Sequence, residues 1–565
     1  MRESFRQSMA YLHTWLGLVL GFVLMVVFFF GSLSVFDREI DRWSVPETRA
    51  HAAPMPSFDN VVKPLFSGVS PAQDSMEYAA GQVIGPMPPP ETLPVSNWSA
   101  YVSHRDPLIR LYVDYDVPNK PKDSALDHIH VYGYAALDPA TSERLPAEVE
   151  DRLNLGTGFF FPMHYMLHLE WMDIGIWIVG LAGIAMLAAL VSGVIMHRRI
   201  FREFFTFRPD KSKQRSTLDL HNMTGVLALP FLFVITLSGI LIFASLYLPS
   251  NIRVMQPLVK AQEQVEIASE PMAEHPSGQP GTLASVDAMM IEAKRIWAEQ
   301  GVPGEVGVVG VVHVGDAASW VWVQRDQADR VSNPELVYFN ASDGKVVYTP
   351  PAAHPIDATY DFFYGLHFQF FKHWGLRWLL FAGGLTGCAC IATGFLFFVE
   401  KRKKKLAAAG SSGARIVDAL AAATVTGILV ATTAMLLANR LLPVTLANHD
   451  AWQEAVFFLT WIATLVHAAL RSRPVAHGGT SPAWAEQCWA AAGLAVAAVL
   501  ANWVTTGDHL IKTIGDLYWP VAGVDLVLLT GAAIAAFVAV RLGKRATRPA
   551  NPRSSRQAEE ASANV

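Results

Sequence analysis

Long apolar stretches recur along this chain and are separated by polar segments of very different length. A transmembrane helix needs about 20 mostly apolar residues to cross the hydrocarbon core of a bilayer. Eight stretches reach or approach this length, so the pattern predicts a membrane all-α helical bundle of about eight transmembrane helices. They lie at about residues 9–36, 172–196, 222–248, 376–399, 416–438, 453–470, 484–504 and 521–541.

Lys and Arg residues collect in alternate connections between these stretches. Arg2 and Arg6 precede the first stretch, and further basic residues fill segments 197–215, 401–405 and 541–556. Because Lys and Arg mark cytoplasmic loops, the arrangement predicts a multi-pass membrane protein. Both termini are then cytoplasmic, and the two long loops are periplasmic.

The predicted organisation follows from these boundaries. Its segments are transmembrane helix 1 (1–36), a first periplasmic module (37–163), transmembrane helix 2 (164–200), a cytoplasmic basic loop (201–217), transmembrane helix 3 (218–248), a second periplasmic module (249–363), transmembrane helix 4 (364–403), a C-terminal four-helix transmembrane region (415–541) and a cytoplasmic disordered tail (542–565).

The first apolar stretch has one competing interpretation, a secretory signal peptide, because Ala50, His51 and Ala52 resemble a cleavage site. The stretch is longer than the apolar region of a signal peptide, and the charged segment 37–43 separates it from that site. We therefore expect the first helix to remain attached.

The two long loops contain strand and helix patterns. In the second loop, segment 283–300 has helical periodicity, and 306–314 and 320–324 resemble strands. Each loop also contains a strand followed by a turn and a returning strand, beginning at Ile129 and at Leu336. These patterns predict one small α+β module in each loop.

The composition agrees with a membrane protein, since 52% of residues are hydrophobic and only 16% are charged. The three cysteines, Cys388, Cys390 and Cys488, all lie in predicted spans. The periplasmic loops therefore lack a disulfide framework and must fold by packing. The net charge of −5 reflects basic cytoplasmic loops and acidic outer ones, and does not indicate nucleic-acid binding.

A histidine pattern occurs twice. His13 and His221 each begin an apolar helix and are each followed four residues later by glycine. His168 and His367 each close a Tyr-x-Leu-His element before another span. The repetition indicates a duplicated unit whose histidines share one function.

The predicted topology pairs these histidines by depth. Spans one and three both start in the cytoplasm, so His13 and His221 lie near that face, whereas His168 and His367 lie near the opposite one. A b-type haem needs two axial imidazoles from different helices. The sequence therefore predicts two haems, with these four histidines as ligands of the haem iron. A single histidine at a helix end is more often an interfacial residue, and only the matched pairs favour ligation.

The order of helix, outer α+β module and helix, with these motifs, resembles the PepSY-associated transmembrane helix family over about residues 8–403. Members include inner-membrane ferric-siderophore reductases that hold haem b. The resemblance implies a location in the bacterial inner (cytoplasmic) membrane, PepSY-like periplasmic modules, haem b and a role in iron uptake as a ferric-siderophore reductase. Two features depart from it: His197 stands where such proteins often show Trp, and the four C-terminal spans lie outside the match.

Other residues remain as alternatives. His197, His164 and His373 could replace a ligand, although interfacial placement is the more common role of such residues. His164 lies four residues before His168, which predicts that both lie on one helical face. Arg377 lies inside span four, where a charge needs a partner, and a haem propionate or snorkelling to the interface would satisfy it. Asp127, His128 and His130 alternate on a strand; a solvated strand face is favoured over a metal site.

The electron donor must be external, because no cytoplasmic segment carries a Gly-x-Gly-x-x-Gly unit after a strand. A quinol or a cytoplasmic flavin reductase could serve, with a ferric siderophore as the periplasmic acceptor and the lipid bilayer as the other partner. Two alternatives differ in class. One is a non-enzymatic periplasmic sensor, binding or assembly protein, and the other is a siderophore or iron transporter, for which inverted rather than parallel repeats are expected.

Overall fold

The computed structural model describes residues 3–122, 129–146, 149, 152–197, 208, 213–247, 272–273, 275–331, 334–351, 355–408, 413–472 and 481–546. Asp127, His128, most of the predicted cytoplasmic loop 201–217 and residues 547–565 of the predicted tail lie outside this part. The chain forms two units. The first comprises Met1–Pro46, Leu153–Leu237 and Leu379–Val565, and the second comprises Glu47–Arg152 and Ser238–Trp378.

The protein is mostly helical. Its helices are α1 (Glu3–Val19), α2 (Gly21–Ser34), α3 (Asp37–Ser44), α4 (Lys63–Leu65), α5 (Gln73–Gln82), α6 (Phe161–Tyr165), α7 (Ile174–Met196), α8 (Lys213–Ile242), α9 (Ala244–Tyr247), α10 (Val286–Glu299), α11 (Pro355–Phe368), α12 (Trp374–Ala408), α13 (Gly413–Ala422), α14 (Ile428–Leu441), α15 (His449–Arg471), α16 (Pro482–Thr506), α17 (Leu510–Gly515) and α18 (Trp519–Ala546). Two π-helical segments, Leu155–Phe160 and Ala423–Gly427, precede α6 and α14.

The predicted spans are present as helices. Within the described residues, seven helical segments are long and apolar enough to cross a membrane, and α1 with α2 makes an eighth if that bent pair is one span. The pair bends by 61° beside Gly21. A Cβ at Gly21 would lie 3.1 Å from the ring of Phe395, so the small residue allows close packing at the break.

Aromatic side chains fill the centre of the helical unit. Phe30, Phe159 and Phe457 are fully buried. The Phe457 ring centroid lies 5.0 Å from that of Phe159 and 5.8 Å from that of Phe30. Helix α15, from the C-terminal region, therefore shares a core with α2 and the π-helical segment 155–160.

The second unit contains one seven-stranded antiparallel sheet with the order β3-β2-β1-β4-β5-β6-β7. The strands are β1 (Val95–Tyr101), β2 (Ile109–Asp116), β3 (His130–Leu137), β4 (Val306–Val312), β5 (Trp320–Arg325), β6 (Leu336–Asn340) and β7 (Val346–Tyr348). Three strands come from the first long loop and four from the second.

The two loops thus share a sheet, where the sequence predicts two separate modules. They join where β1 pairs with β4, with Ala100 opposite Val309. Local patterning does not reveal this pairing, because β1 is rich in polar residues and its partner is far away in sequence. Helix α10 and strands β4 to β7 match the predictions, whereas the strand expected after β3 is reduced to a single bridge between Leu137 and Arg144.

Two aspartates tie the loops together at the start of α10. Asp59 accepts hydrogen bonds from Ser285 Oγ and from the backbone N–H groups of Val286 and Asp287. Asp287 in turn accepts from Ser57 Oγ and the N–H of Phe58. Each carboxylate therefore caps a segment of the other loop, which satisfies donors that a helix start leaves unpaired.

Candidate functional site

Two of the predicted ligands meet within the helical unit. The ring centroids of His13 on α1 and His221 on α8 lie 6.1 Å apart, and the rings are nearly perpendicular at 70°. His13 Nδ1 donates to Ala189 O at 2.9 Å, and His221 Nδ1 donates to Cys390 O at 2.8 Å. A proton on Nδ1 leaves the lone pair of a neutral imidazole on Nε2, which is the form that binds a metal.

Each of these rings lies against a glycine of the helix that supplies its carbonyl acceptor. A Cβ at Gly193 would lie 3.2 Å from His13 Cε1, and a Cβ at Gly394 would lie 3.3 Å from His221 Cε1. Each glycine comes four residues after the acceptor, one helical turn along. The carbonyl sets the ring's rotation, and the missing side chain lets the ring approach the helix. We call this combination the carbonyl–glycine seat.

His164, on α6, has the same seat. Its Nδ1 donates to Val27 O at 2.8 Å, and a Cβ at Gly31 would lie 2.6 Å from the ring. Gly31 again follows the acceptor by four residues.

In the second unit, His367 has a related environment at the end of α11. Ser238 Oγ lies 3.0 Å from His367 Nδ1, and a Cβ at Gly239 would lie 2.9 Å from Cε1. A small residue and a polar atom on α8 therefore position this ring too.

His168 lies in a different environment. Its Nε2, rather than Nδ1, donates to Phe159 O at 2.9 Å, and its ring stacks on Phe159 with centroids 4.5 Å apart. Helix α6 ends at Tyr165, and both Leu167 and His168 have positive φ. His164 and His168 therefore do not share a helical face, although their spacing predicts that they do. The seat belongs to His164, which the sequence offers only as an alternative.

The other candidates occupy helix ends. His197 is the residue after α7, and its N–H donates to Gly193 O at 3.2 Å. His373 precedes α12, where its Nδ1 accepts from the N–H of Leu376 at 3.0 Å, so it acts as a helix cap. Arg377 is only 2% exposed, with its guanidinium 5.0 Å from the centre of the Trp374 ring.

His130 lies on a solvated face of β3. Its Nδ1 lies 3.0 Å from Asp116 Oδ1, and about half of its side chain is exposed. The hydrogen bond from the ring to Asp116 raises the pKa of His130. Among the residues that the structure describes, no group of three or more His, Cys, Asp or Glu side chains converges as a bare metal ion would require.

A sequence model of the PepSY-associated TM region matches residues 10–401. The chain belongs to this family. An uncharacterized protein of Pseudomonas aeruginosa is 28% identical over 396 residues, which cover 66% of this chain and 93% of that relative.

All of these histidines, His13, His221, His164 and His367, lie inside the family match, and helices α13 to α18 lie beyond it. The sequence pattern finds His13, His221 and His367 because each stands in a repeated motif. The sequence offers His164 only as an alternative, because the residues that form its seat, Val27 and Gly31, lie on another helix.

Proposed function

We propose that this protein is a di-haem b-type oxidoreductase of the bacterial inner membrane that carries electrons from the cytoplasmic side to a periplasmic acceptor. The observation that carries the proposal is the facing pair His13 and His221. Haem supplies a reversible one-electron Fe(III)/Fe(II) couple when two axial ligands hold it.

The spacing of this pair fits an iron atom between the rings. Two metal–nitrogen bonds of about 2 Å, added to the two ring radii, separate the centres of coaxial imidazoles by about 6 Å. The observed centroid distance is 6.1 Å. Because the porphyrin supplies the remaining nitrogens, two imidazoles are a sufficient protein contribution. Gly17, four residues after His13, has no atom within 4 Å of a Cβ built on it, which leaves room for a planar ring.

For the other haem, we propose His164 as a ligand, because it has the small residue and the Nδ1 partner that characterise the first pair. His367, in the second unit, is likewise proposed as a haem ligand, because a small residue and a polar atom beside its Nδ1 position its ring. His168 is replaced as a ligand in this proposal. Its Nε2 is bonded to a main-chain carbonyl, so coordination through that atom would require the ring to leave its place. The buried guanidinium of Arg377 is the proposed partner of a haem propionate.

The proposed acceptor is a ferric siderophore in the periplasm. Hard oxygen ligands hold Fe(III) more firmly than Fe(II), so transfer of one electron to the chelated iron weakens the complex and releases Fe(II) for uptake. The proposed donor is a quinol or a separate cytoplasmic flavin reductase. In this scheme both termini are cytoplasmic, and the sheet unit lies in the periplasm.

The test is an oxidised and dithionite-reduced absorption spectrum of the detergent-purified protein, with haem counted per chain. We expect about two b-type haems, with one lost in His13→Ala or His221→Ala and the other lost in His164→Ala; His367→Ala should also lower the haem content. His168→Ala is the matched control and should retain both. Reduction of a ferric siderophore by the reduced protein is then measured by trapping Fe(II).

A haem-free protein after expression with adequate haem would contradict the proposal. A non-enzymatic periplasmic binding role would then be favoured. Loss of haem in His168→Ala but not in His164→Ala would instead restore the ligand set that the sequence predicts.

A further inference from the structure

The C-terminal helices, which lie beyond the family match, contact the segment that follows α2. Trp43, at the end of α3, is fully buried, and its Nε1–H donates to Asp525 Oδ1 on α18 at 2.8 Å. The guanidinium of Arg440 on α14 lies 5.0 Å from the centre of the Trp43 ring and donates to Ser44 O. Charged side chains of α14 and α18 therefore hold Trp43 and Ser44 in place.

A third contact reaches the returning segment. Asp450, in the first turn of α15, accepts a hydrogen bond from the N–H of Leu153 at 3.0 Å. Phe458, on the same helix, has its ring centroid 5.9 Å from that of Phe159. We call Arg440, Asp450 and Asp525 the C-terminal anchor.

The anchored segments are joined to each other directly before His164. Asp41 accepts hydrogen bonds from the N–H groups of Gly156 and Thr157, and from Thr157 Oγ1 at 2.7 Å. Gly156 allows the close approach, because a Cβ there would lie 1.9 Å from Asp37 O. The π-helical segment 155–160 then continues into α6, which carries His164.

We propose that the C-terminal four-helix region is a positioning element for His164 and that it acts through this anchor. The contacts run from Asp525 and Arg440 to the end of α3, from α3 through Asp41 to segment 155–160, and from Asp450 to Leu153 at the start of that segment. The functional part of this inference rests on the proposed role of His164 as a haem ligand. Arg440, Asp450 and Asp525 are positioning residues, since they act through Ser44, Leu153 and Trp43.

The physical basis is the strength of polar contacts in an apolar surrounding. Trp43 and Asp525 are 0% and 1% exposed, so loss of either partner leaves a buried polar atom without its hydrogen bond. These contacts resist small displacements of α3 and of segment 155–160, which packs on it. Such rigidity matters because a ligand must be held in a narrow range of orientations to bind iron well.

The experiment compares four variants of the full chain. Trp43→Phe keeps the ring and removes the N–H, and Asp450→Ala removes the acceptor for Leu153. Asp450→Asn restores an acceptor oxygen and should rescue the Asp450→Ala defect. Glu486→Gln weakens the contacts with Arg471 and His467, which link α15 to α16 away from the anchor, and is the matched control.

We expect Trp43→Phe and Asp450→Ala to alter two properties of the haem that His164→Ala removes. Its reduction potential should shift, and it should pass to excess apomyoglobin several-fold faster, whereas the haem that His221→Ala removes keeps its potential. Glu486→Gln and Asp450→Asn should behave as the parent. An unchanged potential and haem-loss rate in both disrupting variants would overturn the inference, even if their unfolding temperature falls.

A second readout does not depend on haem. Backbone amides of residues 155–165 should exchange hydrogen faster in Asp450→Ala than in Glu486→Gln, both with haem and without it. If the parent binds no haem, the proposed function fails while this measurement still tests the anchor. Equal exchange in the two variants would show that the C-terminal region does not hold this segment.

Discussion

Gly31 lies directly against the imidazole of His164: a Cβ built on the glycine would come within 2.6 Å of both Cε1 and Nδ1 of the ring. No residue larger than glycine therefore fits at position 31 while the His164 ring stays in place. The same relationship, less tight, joins Gly193 to His13 and Gly394 to His221.

Gly31→Ala should therefore displace the ring of His164. Overpacking of this kind costs about 1–3 kcal/mol, and the ring can relieve it only by leaving Val27 O. We expect one of the two proposed haems to be lost or to become high-spin, as measured by haem content and by the reduced spectrum. Gly493→Ala is the control, because a Cβ there meets no atom within 4 Å. Two intact haems in Gly31→Ala would show that the seat is not needed for ligation.

Cys390→Ala should retain both haems. The thiol Sγ lies 3.6 Å from His221 Nδ1, but the shorter contact is made by the main-chain carbonyl of the same residue at 2.8 Å. Alanine keeps that carbonyl and favours the helix. Haem content and reduction potential should therefore stay close to those of the parent. A protein that lost the haem of His221 on this change would indicate that the thiol, not the carbonyl, orients the ring.

The cap formed by Asp59 should make the sheet unit sensitive to acid. Partial burial alone would raise the pKa of Asp59, but hydrogen bonds from Ser285 and from the N–H groups of Asp287 and Val286 outweigh it, so the pKa is lowered. A carboxylate with a lowered native pKa contributes stability above its unfolded pKa, near 4. That contribution is lost as the pH falls through the native pKa.

We therefore expect Asp59→Ala to destabilise the sheet unit by about 1 kcal/mol at pH 7, the usual cost of losing a cap. The difference from the parent should close as the medium is acidified below about pH 4. Hydrogen exchange of α10 at a series of pH values measures both effects. A difference that is as large at pH 2 as at pH 7 would contradict the ionised cap.

Gly310→Ala should destabilise the middle of the sheet. A Cβ at Gly310 on β4 would lie 2.0 Å from Nε1 of Trp322 on β5, which sits directly opposite in the ladder. The indole must move or the strands must separate, at a cost of about 1–3 kcal/mol or more. Trp322→Phe, which shortens the ring system, should recover part of this loss in the double variant. Thermal unfolding of the two single variants and the double variant gives the coupling, and additive effects would contradict the predicted clash.

Much of this architecture can be read along the chain. Apolar length predicts the helices because a bilayer imposes it locally. Strands β4 to β7 follow from alternation and turn residues, and the repeated His-x-x-x-Gly motif predicts His13 and His221 as partners. The 6.1 Å separation of their rings agrees with that prediction.

Other features arise only in three dimensions. The different environments of His164 and His168 depend on where α6 ends and on Gly31 in a different helix. The single sheet depends on the pairing of β1 with β4, although helices α6 to α10 lie between these strands in the sequence. The C-terminal anchor depends on the hydrogen bond between Trp43 and Asp525.

The sequence by itself therefore determined the spans, the second-loop strands and the repeated motifs of His13 and His221, because length, periodicity and motif repetition act between near neighbours. The tertiary structure decided the environments of His164 and His168, the joining of the two loops and the attachment of the C-terminal helices. Each of these depends on a specific contact between residues far apart in the chain, and the free energy of such a contact is set by packing and hydrogen-bond geometry that no local pattern records.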